Sequence, residues 1–283
     1  MKKLDWSWGA PLALTCLGLI LRLWTIRYTS PWPGDAQARV ALSMYWLLHP
    51  HWIASGYWLP FPCYLNAFAL TLWNDPVLCP RVIAAILGTL NLPIFYIYIK
   101  RLFGNFVAIT SALLLSFMPL HVGLCASGLT DAWSITFYIA IFDQLMRCVD
   151  QTIPEGTRRL HFAAFFVAMV IEMTTRAESW GLIPFVVAYY FWRTRSKSAS
   201  IGLLLGLLVI PVYWLTANYL DFHLPLVSFS GDGEPRIQPF SFVTALLTVN
   251  RVLLFQLGPI IYVGGWWGMF LLGRSLWKRR AVE

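Results

Sequence analysis

Apolar runs of helical length recur along the whole chain, at residues 8–26, 82–99, 104–120, 132–148, 160–175, 180–192, 201–219 and 257–276. A helix needs roughly 20 apolar residues to cross the hydrocarbon core of a bilayer, so each run is expected to be a transmembrane span. The fifth and sixth are short, and the segment around Arg176 between them is expected to dip into the membrane region. Broken spans of that kind are tolerated only where protein or a cavity surrounds the backbone. Ala36–Leu48 and Cys63–Trp73 have apolar residues at helical spacing and are rich in Trp, Tyr and Phe, which suits amphipathic helices lying in the interface. Pro50, Pro60, Pro62 and Pro76 punctuate them. Phe240–Gln256, after the turn-rich stretch Ser230–Pro235, reads as another interfacial or re-entrant helix. The pattern predicts an all-α polytopic membrane protein, one transmembrane module over residues 1–283. It has eight spans and two long loops, 27–81 and 220–256, that carry the amphipathic helices.

Composition agrees. Hydrophobic residues make up 58% of the 283 and charged residues only 12%, about half the charged share of a soluble domain. The net charge of +8 sits in small clusters between apolar runs, not on one basic face, so a nucleic-acid partner is not expected. Placing the N-terminus inside puts Lys2/Lys3, Lys100/Arg101, Arg147/Arg158/Arg159, Arg193/Arg195/Lys197 and Arg274/Lys278/Arg279/Arg280 on the cytoplasmic side. That is 14 of the 21 basic residues, as the positive-inside rule requires. Both termini are then cytoplasmic, and the long loops and any active site are extracytoplasmic. Arg22 interrupts the first run and no small-residue cleavage site follows, so that span is expected to stay uncleaved. Cys63, Cys79 and Cys125 fall on the outer side and permit one disulfide, but packing as small residues is the preferred reading for all five cysteines.

Against this background the few ionisable groups in the outer segments stand out. Asp35, in Pro33-Gly34-Asp35-Ala36, either takes a proton from an acceptor hydroxyl or caps the helix beginning at Ala36. Asp131 opens the fourth span, as a second, donor-orienting acid or as a cap. Glu172 and Arg176 are four apart and would pair on a continuing helix, with Glu178 beyond them. Charges at membrane depth default to a functional reading, and the Arg176 guanidinium matches phosphate oxygens. Arg236 and Arg251 would meet an anionic head group, either as part of a site or as anchors. His121 reads as an exposed residue at a loop start. His49 and His51 lack a credible third ligand, so no metal site is assigned.

At these residues the chain resembles the membrane glycosyltransferases of the GT-C fold class that use lipid-phosphate-linked sugars. They include the protein O-mannosyltransferases of the family-39-like group and the aminoarabinose transferase of lipid A. The likeness rests on Leu21-Arg22-Leu23-Trp24 with Gly34-Asp35, on Pro80-Arg81-Val82-Ile83 through Lys100-Arg101-Leu102-Phe103-Gly104, on Pro119-Leu120-His121 with Thr130-Asp131-Ala132, and on Arg176-Ala177-Glu178-Ser179-Trp180. It implies transfer of a sugar, with inversion, from a polyprenyl-phosphate donor to a hydroxyl on the outer face. Asp35 would be the base, Asp131 the second acid and Arg176 a contact to the donor phosphate. Glu172, Glu178 and His121 would support them. The cofactor is left open, a divalent cation (Mg or Mn) being compatible but not required. Two departures matter: Ala36 follows Asp35 where many members have a second acid, and members usually run longer. A minimal enzyme and one needing a partner subunit are both consistent with that length. The rival reading is a non-enzymatic lipid-phosphate-binding protein, a flippase or scaffold subunit using the same groove. A secondary transporter is disfavoured by the lack of an internal repeat.

Overall fold

The computed structural model describes residues 9–29 and 34–223, and among them every regular element is helical. In order these are α1 (Gly9–Thr25), α2 (Gly34–Leu48), α3 (Pro60–Leu72), α4 (Leu78–Thr89), α5 (Asn91–Phe103), α6 (Asn105–Phe117), α7 (Pro119–Ser127), α8 (Asp131–Cys148) and α9 (Glu155–Met173). A 3-10 turn over Ala177–Leu182 leads into α10 (Ile183–Thr194), and α11 (Lys197–Phe222) follows. The predicted span 257–276, the loop helix 240–256, Arg236 and Arg251 lie outside the described residues.

Helix limits follow local chemistry. Pro60 and Pro119 begin α3 and α7, where a missing N–H costs nothing. Gly104 and Gly128, at φ +86° and +80°, end α5 and α7 in conformations that a side chain resists. The Ser196 side chain caps α11 by accepting the Ala199 N–H.

By length and apolarity, Leu78–Phe103 (α4 continuing into α5) and Lys197–Phe222 are able to cross a membrane. The pair α6–α7 makes a third if it counts as one span, bent by 54° at its break. The other predicted spans among the described residues exist as helices but fall short of that criterion. Asp131, Asp143 and Arg147 interrupt α8, Arg158, Arg159 and Glu172 interrupt α9, and α10 has only 12 residues. Where His121 was expected to start a loop, the chain instead forms the helix α7, since Pro119 restarts the helix that Met118 breaks. The predicted amphipathic helices are α2 and α3.

Two of the apolar clusters among the described residues show how the helices pack. In one, Leu14 of α1 and Tyr96 of α5 close on Ala108 and Ala112 of α6. Small residues one turn apart let backbones approach, which is how helices associate without a water-driven hydrophobic force. Gly88 of α4 serves the same end, since a Cβ there would come within 2.4 Å of the Cys125 sulfur. In the other core, α8 and α9 lie side by side, joined by the short 149–154 connection, and Ile141, Leu145, Phe165, Met169 and Met173 pack with Val186 of α10 and Leu207 of α11. Large apolar side chains such as Ile20, Phe106, Leu114, Phe185 and Val209 point outward, as lipid contact requires.

His121, expected at an exposed loop start, is buried instead. Its ring accepts or shares bonds with Arg22 Nη2 (2.8 Å) and the Asn91 amide (2.5 Å), while Arg22 also donates to the Gly18 carbonyl and the Cys125 sulfur. Arg22 is charged and needs acceptors, so Nδ1 of a neutral ring accepts and Nε2 carries the hydrogen. The Asn91 amide must then turn its oxygen toward Nε2, which also gives the otherwise unmatched Oδ1 a partner. All five cysteines are free thiols.

Candidate active site

At one end of the bundle, α2, the 50–59 connection, the start of α8, the end of α9 and the last turns of α11 enclose a cavity of about 290 Å³. Asp35, Arg39, Trp58, Asp131, Arg176 and Glu178 all line it, with Trp180, Trp214 and Asn218 on its walls.

Asp35 lies in the first turn of α2, exposed, one residue inside the helix. There it favours the helix dipole and still faces the cavity, so the cap and base readings do not exclude each other. Asp131 is the first residue of α8, and Thr130 holds the cap position.

Arg176 gets its place from the way α9 stops. The Thr174 and Thr175 hydroxyls donate back to the Val170 and Ile171 carbonyls, and the helix ends at Met173. Arg176 therefore takes extended backbone angles, φ −140° and ψ 129°, and its side chain swings away from Glu172. The expected Glu172–Arg176 pair does not form for this reason. Arg176 donates instead to Asp131, and through Nη2 (3.0 Å) and Nε (3.4 Å) to the two oxygens of Glu178. Burial opposes the Arg176 charge, but these two carboxylates more than restore it and raise its pKa above the ordinary value. Burial likewise works against the Glu178 carboxylate, and the bonds from Arg176 outweigh that and hold its pKa below the ordinary value. Glu172 sits fully buried behind the site, facing the Ser134 and Tyr138 hydroxyls.

Arg39 is the site residue that the sequence reading missed. One turn after Asp35, it is 8% exposed and stacks 4.1 Å over the Trp58 ring. Its Nη1 is buried with no hydrogen-bond partner, and among the described residues no ion pair engages it. Burial lowers its pKa, with Asp35 and Asp131 acting in the opposite sense. Its signal in the sequence was the i, i+4 spacing Asp35–Arg39.

The connection carrying Trp58 is fixed from both sides. Asn218 of α11 accepts the Gly56 N–H (2.7 Å), Ser55 donates to Asp221, Trp52 donates to the Tyr213 hydroxyl (2.9 Å), and the Ile53 N–H meets the Tyr64 hydroxyl (2.9 Å). The Phe61 N–H reaches the Thr174 carbonyl (3.1 Å), tying α3 to the end of α9 beside Arg176.

A sequence model described as dolichyl-phosphate-mannose-protein mannosyltransferase matches residues 49–215. The chain belongs to this family. At family level it is a membrane glycosyltransferase of the GT-C type. The matched span takes in Trp58, Asp131, Arg176 and Glu178, while Asp35 and Arg39 precede it. Curated proteins and solved structures yield no match.

Among the described residues, the cavity thus combines one carboxylate outside any ion pair (Asp35), one cation outside any ion pair (Arg39) and an Arg176 cluster whose charges pair with one another. No group of three metal-ligating side chains occurs among the described residues, and two of the three cavity acids are engaged by Arg176.

Proposed function

We propose that the chain moves a sugar from a polyprenyl-phosphate-linked donor to a hydroxyl acceptor, at the extracytoplasmic end of the bundle, with inversion. The observation that supports this most is the pairing of an exposed Asp35 with a buried, unneutralised Arg39 on one helix at one cavity.

Such a reaction asks little covalent chemistry of the protein, because a lipid phosphate is a good leaving group. It needs a base for the nucleophile, a cation for the departing phosphate and a fixed geometry between them. Asp35 accepts the acceptor hydroxyl's proton as its oxygen bonds to the anomeric carbon. The bond from that carbon to the phosphate oxygen breaks, and its electron pair leaves with the polyprenyl phosphate. Arg39 neutralises that phosphate, its unmatched N–H taking an oxygen after a small side-chain adjustment. Arg176, which the family resemblance offers for this contact, already serves two carboxylates and is better suited to positioning Asp131 and Glu178. The donor's lipid tail would lie along the bilayer-facing helices.

Asp35→Asn tests the assignment. With purified chain and a polyprenyl-phosphate sugar, transfer should fall to background while donor binding persists. Near-normal transfer by this variant would remove Asp35 as base. Loss of donor binding on replacing Arg39, with no transfer by the wild type to any hydroxyl acceptor, would instead favour a lipid-phosphate-binding protein that is not an enzyme.

A further inference from the structure

About 25 Å away along α8, judged from the helix rise, the opposite end of the bundle carries a second cavity of about 330 Å³. The end of α8, the start of α9 and the last turns of α10 form it. We infer that this cavity binds the phosphate of an anionic membrane lipid, outside the proposed transferase site and independent of it.

The argument starts from the charges. At this end Asp143 is paired by Arg101 and Arg147, and Glu155 by Arg159. Arg158, which lines the cavity, has no carboxylate partner among the described residues. Its Nη1 donates to the neutral Gln151 side chain (2.6 Å), and its Nε is shut off from solvent with no acceptor. A guanidinium left in that state lacks a charge-assisted acceptor, which an anion in the cavity would supply.

The rest of the cavity selects the kind of anion. Phe162 and Tyr190 pack their rings 6.0 Å apart on one side, giving an apolar floor beneath the cation. A floor of this kind suits the glycerol and first acyl carbons of a lipid and offers nothing to free phosphate. Arg193 and Arg195, the sequence neighbours of the lining residue Thr194, add positive charge on the side where the positive-inside pattern also places the anionic leaflet.

The experiment uses the full chain in detergent, titrated with phosphatidylglycerol or phosphatidylcholine and read by native mass spectrometry. The wild type should retain phosphatidylglycerol several-fold better. Arg158→Gln should reduce that retention about tenfold, the value of one charge-assisted bond, whereas Lys197→Gln, an exposed charge outside the cavity, should leave it unchanged. Arg158→Lys, which keeps the charge and gives up the Nε donor, should reduce it several-fold and serves where the Gln variant does not fold. Asp35→Asn should have no effect. Equal losses from Arg158→Gln and Lys197→Gln, no preference in the wild type, or an unchanged preference in Arg158→Lys would overturn the inference. Displacement of the lipid by inorganic phosphate would overturn its lipid source.

Discussion

Replacing Arg39 by Met separates the proposed catalytic use of this residue from a structural one. On the stability side, its stack over Trp58 at 4.1 Å is worth about 2 kcal/mol for a desolvated cation. Set against it, the unmatched buried Nη1 costs about 1–3 kcal/mol, and an apolar side chain of similar length removes that cost. The two contributions nearly cancel, so the unfolding midpoint should shift by no more than about 1 kcal/mol equivalent. On the activity side, losing one donor aimed at charge developing in the transition state should lower kcat/KM about 100- to 1000-fold. The assay is sugar transfer from a polyprenyl-phosphate donor by purified protein, alongside thermal unfolding of the same samples. Arg39→Lys should recover part of the activity, since the charge returns without the planar fork. A variant that unfolds readily yet keeps its kcat/KM would show Arg39 to be a packing residue, and the reasoning would fail.

Asp35→Asn should lower kcat by at least about 100-fold, the range of a lost general base, with donor KM little changed; a change confined to KM would refute the role. The Glu178 carboxyl is held below its ordinary pKa in the folded chain, so its bond to Arg176 stabilises above the unfolded carboxylate range and is lost as pH falls through the folded value. The stability difference between wild type and Glu178→Gln should therefore be flat from neutral pH to about pH 5 and vanish below. It should not exceed about 1 kcal/mol, because the Glu178 side chain is 69% exposed. His121→Leu deprives the buried Arg22 Nη2 of its acceptor and should cost about 2–3 kcal/mol in detergent unfolding; unchanged stability would mean that Arg22 finds another partner. Gly88→Ala drives a Cβ to 2.4 Å from the Cys125 sulfur and should cost about 1–3 kcal/mol, while Gly123→Ala, with nothing within 4 Å, should be nearly silent.

Much of the helical plan was legible because its cause is local. The apolar spacing of Ala36–Leu48 and Cys63–Trp73 and the prolines between them delimit α2 and α3 closely. What escaped depends on side chains acting on the backbone or across space. Two consecutive threonines ended α9 a few residues before Arg176, and this undid a pairing that simple i, i+4 counting predicted. His121 looked solvated after Pro119-Leu120, yet an arginine 99 residues earlier draws it into the interior. Only two or three of the eight predicted spans meet a plain length-and-apolarity test among the described residues, because charges paired or buried inside the bundle, such as Asp143 and Glu172, depress the apolarity of their helices.

The site was legible in part, and the missing part bears most on the mechanism. Asp35, Asp131, Arg176 and Glu178, picked from separate stretches, do line one cavity. Counting charges there gives three carboxylates and two guanidiniums, but pairing divides them unequally. Arg176 takes two of the acids, and among the described residues Asp35 and Arg39 are left with no ion pair of their own. Those two are a single helical turn apart on α2. The Trp58 ring that holds the guanidinium comes from a connection fixed to α11 by Asn218. A cation over an aromatic ring, with an unmet buried N–H, brings the fold little net stability. It is an economical arrangement for receiving a phosphate, because the missing acceptor arrives with the donor and the charge is already desolvated. On the proposed mechanism the reactive division of labour therefore lies within Asp35-Ala36-Gln37-Ala38-Arg39, and the more conspicuous Arg176 cluster fixes the opposite wall.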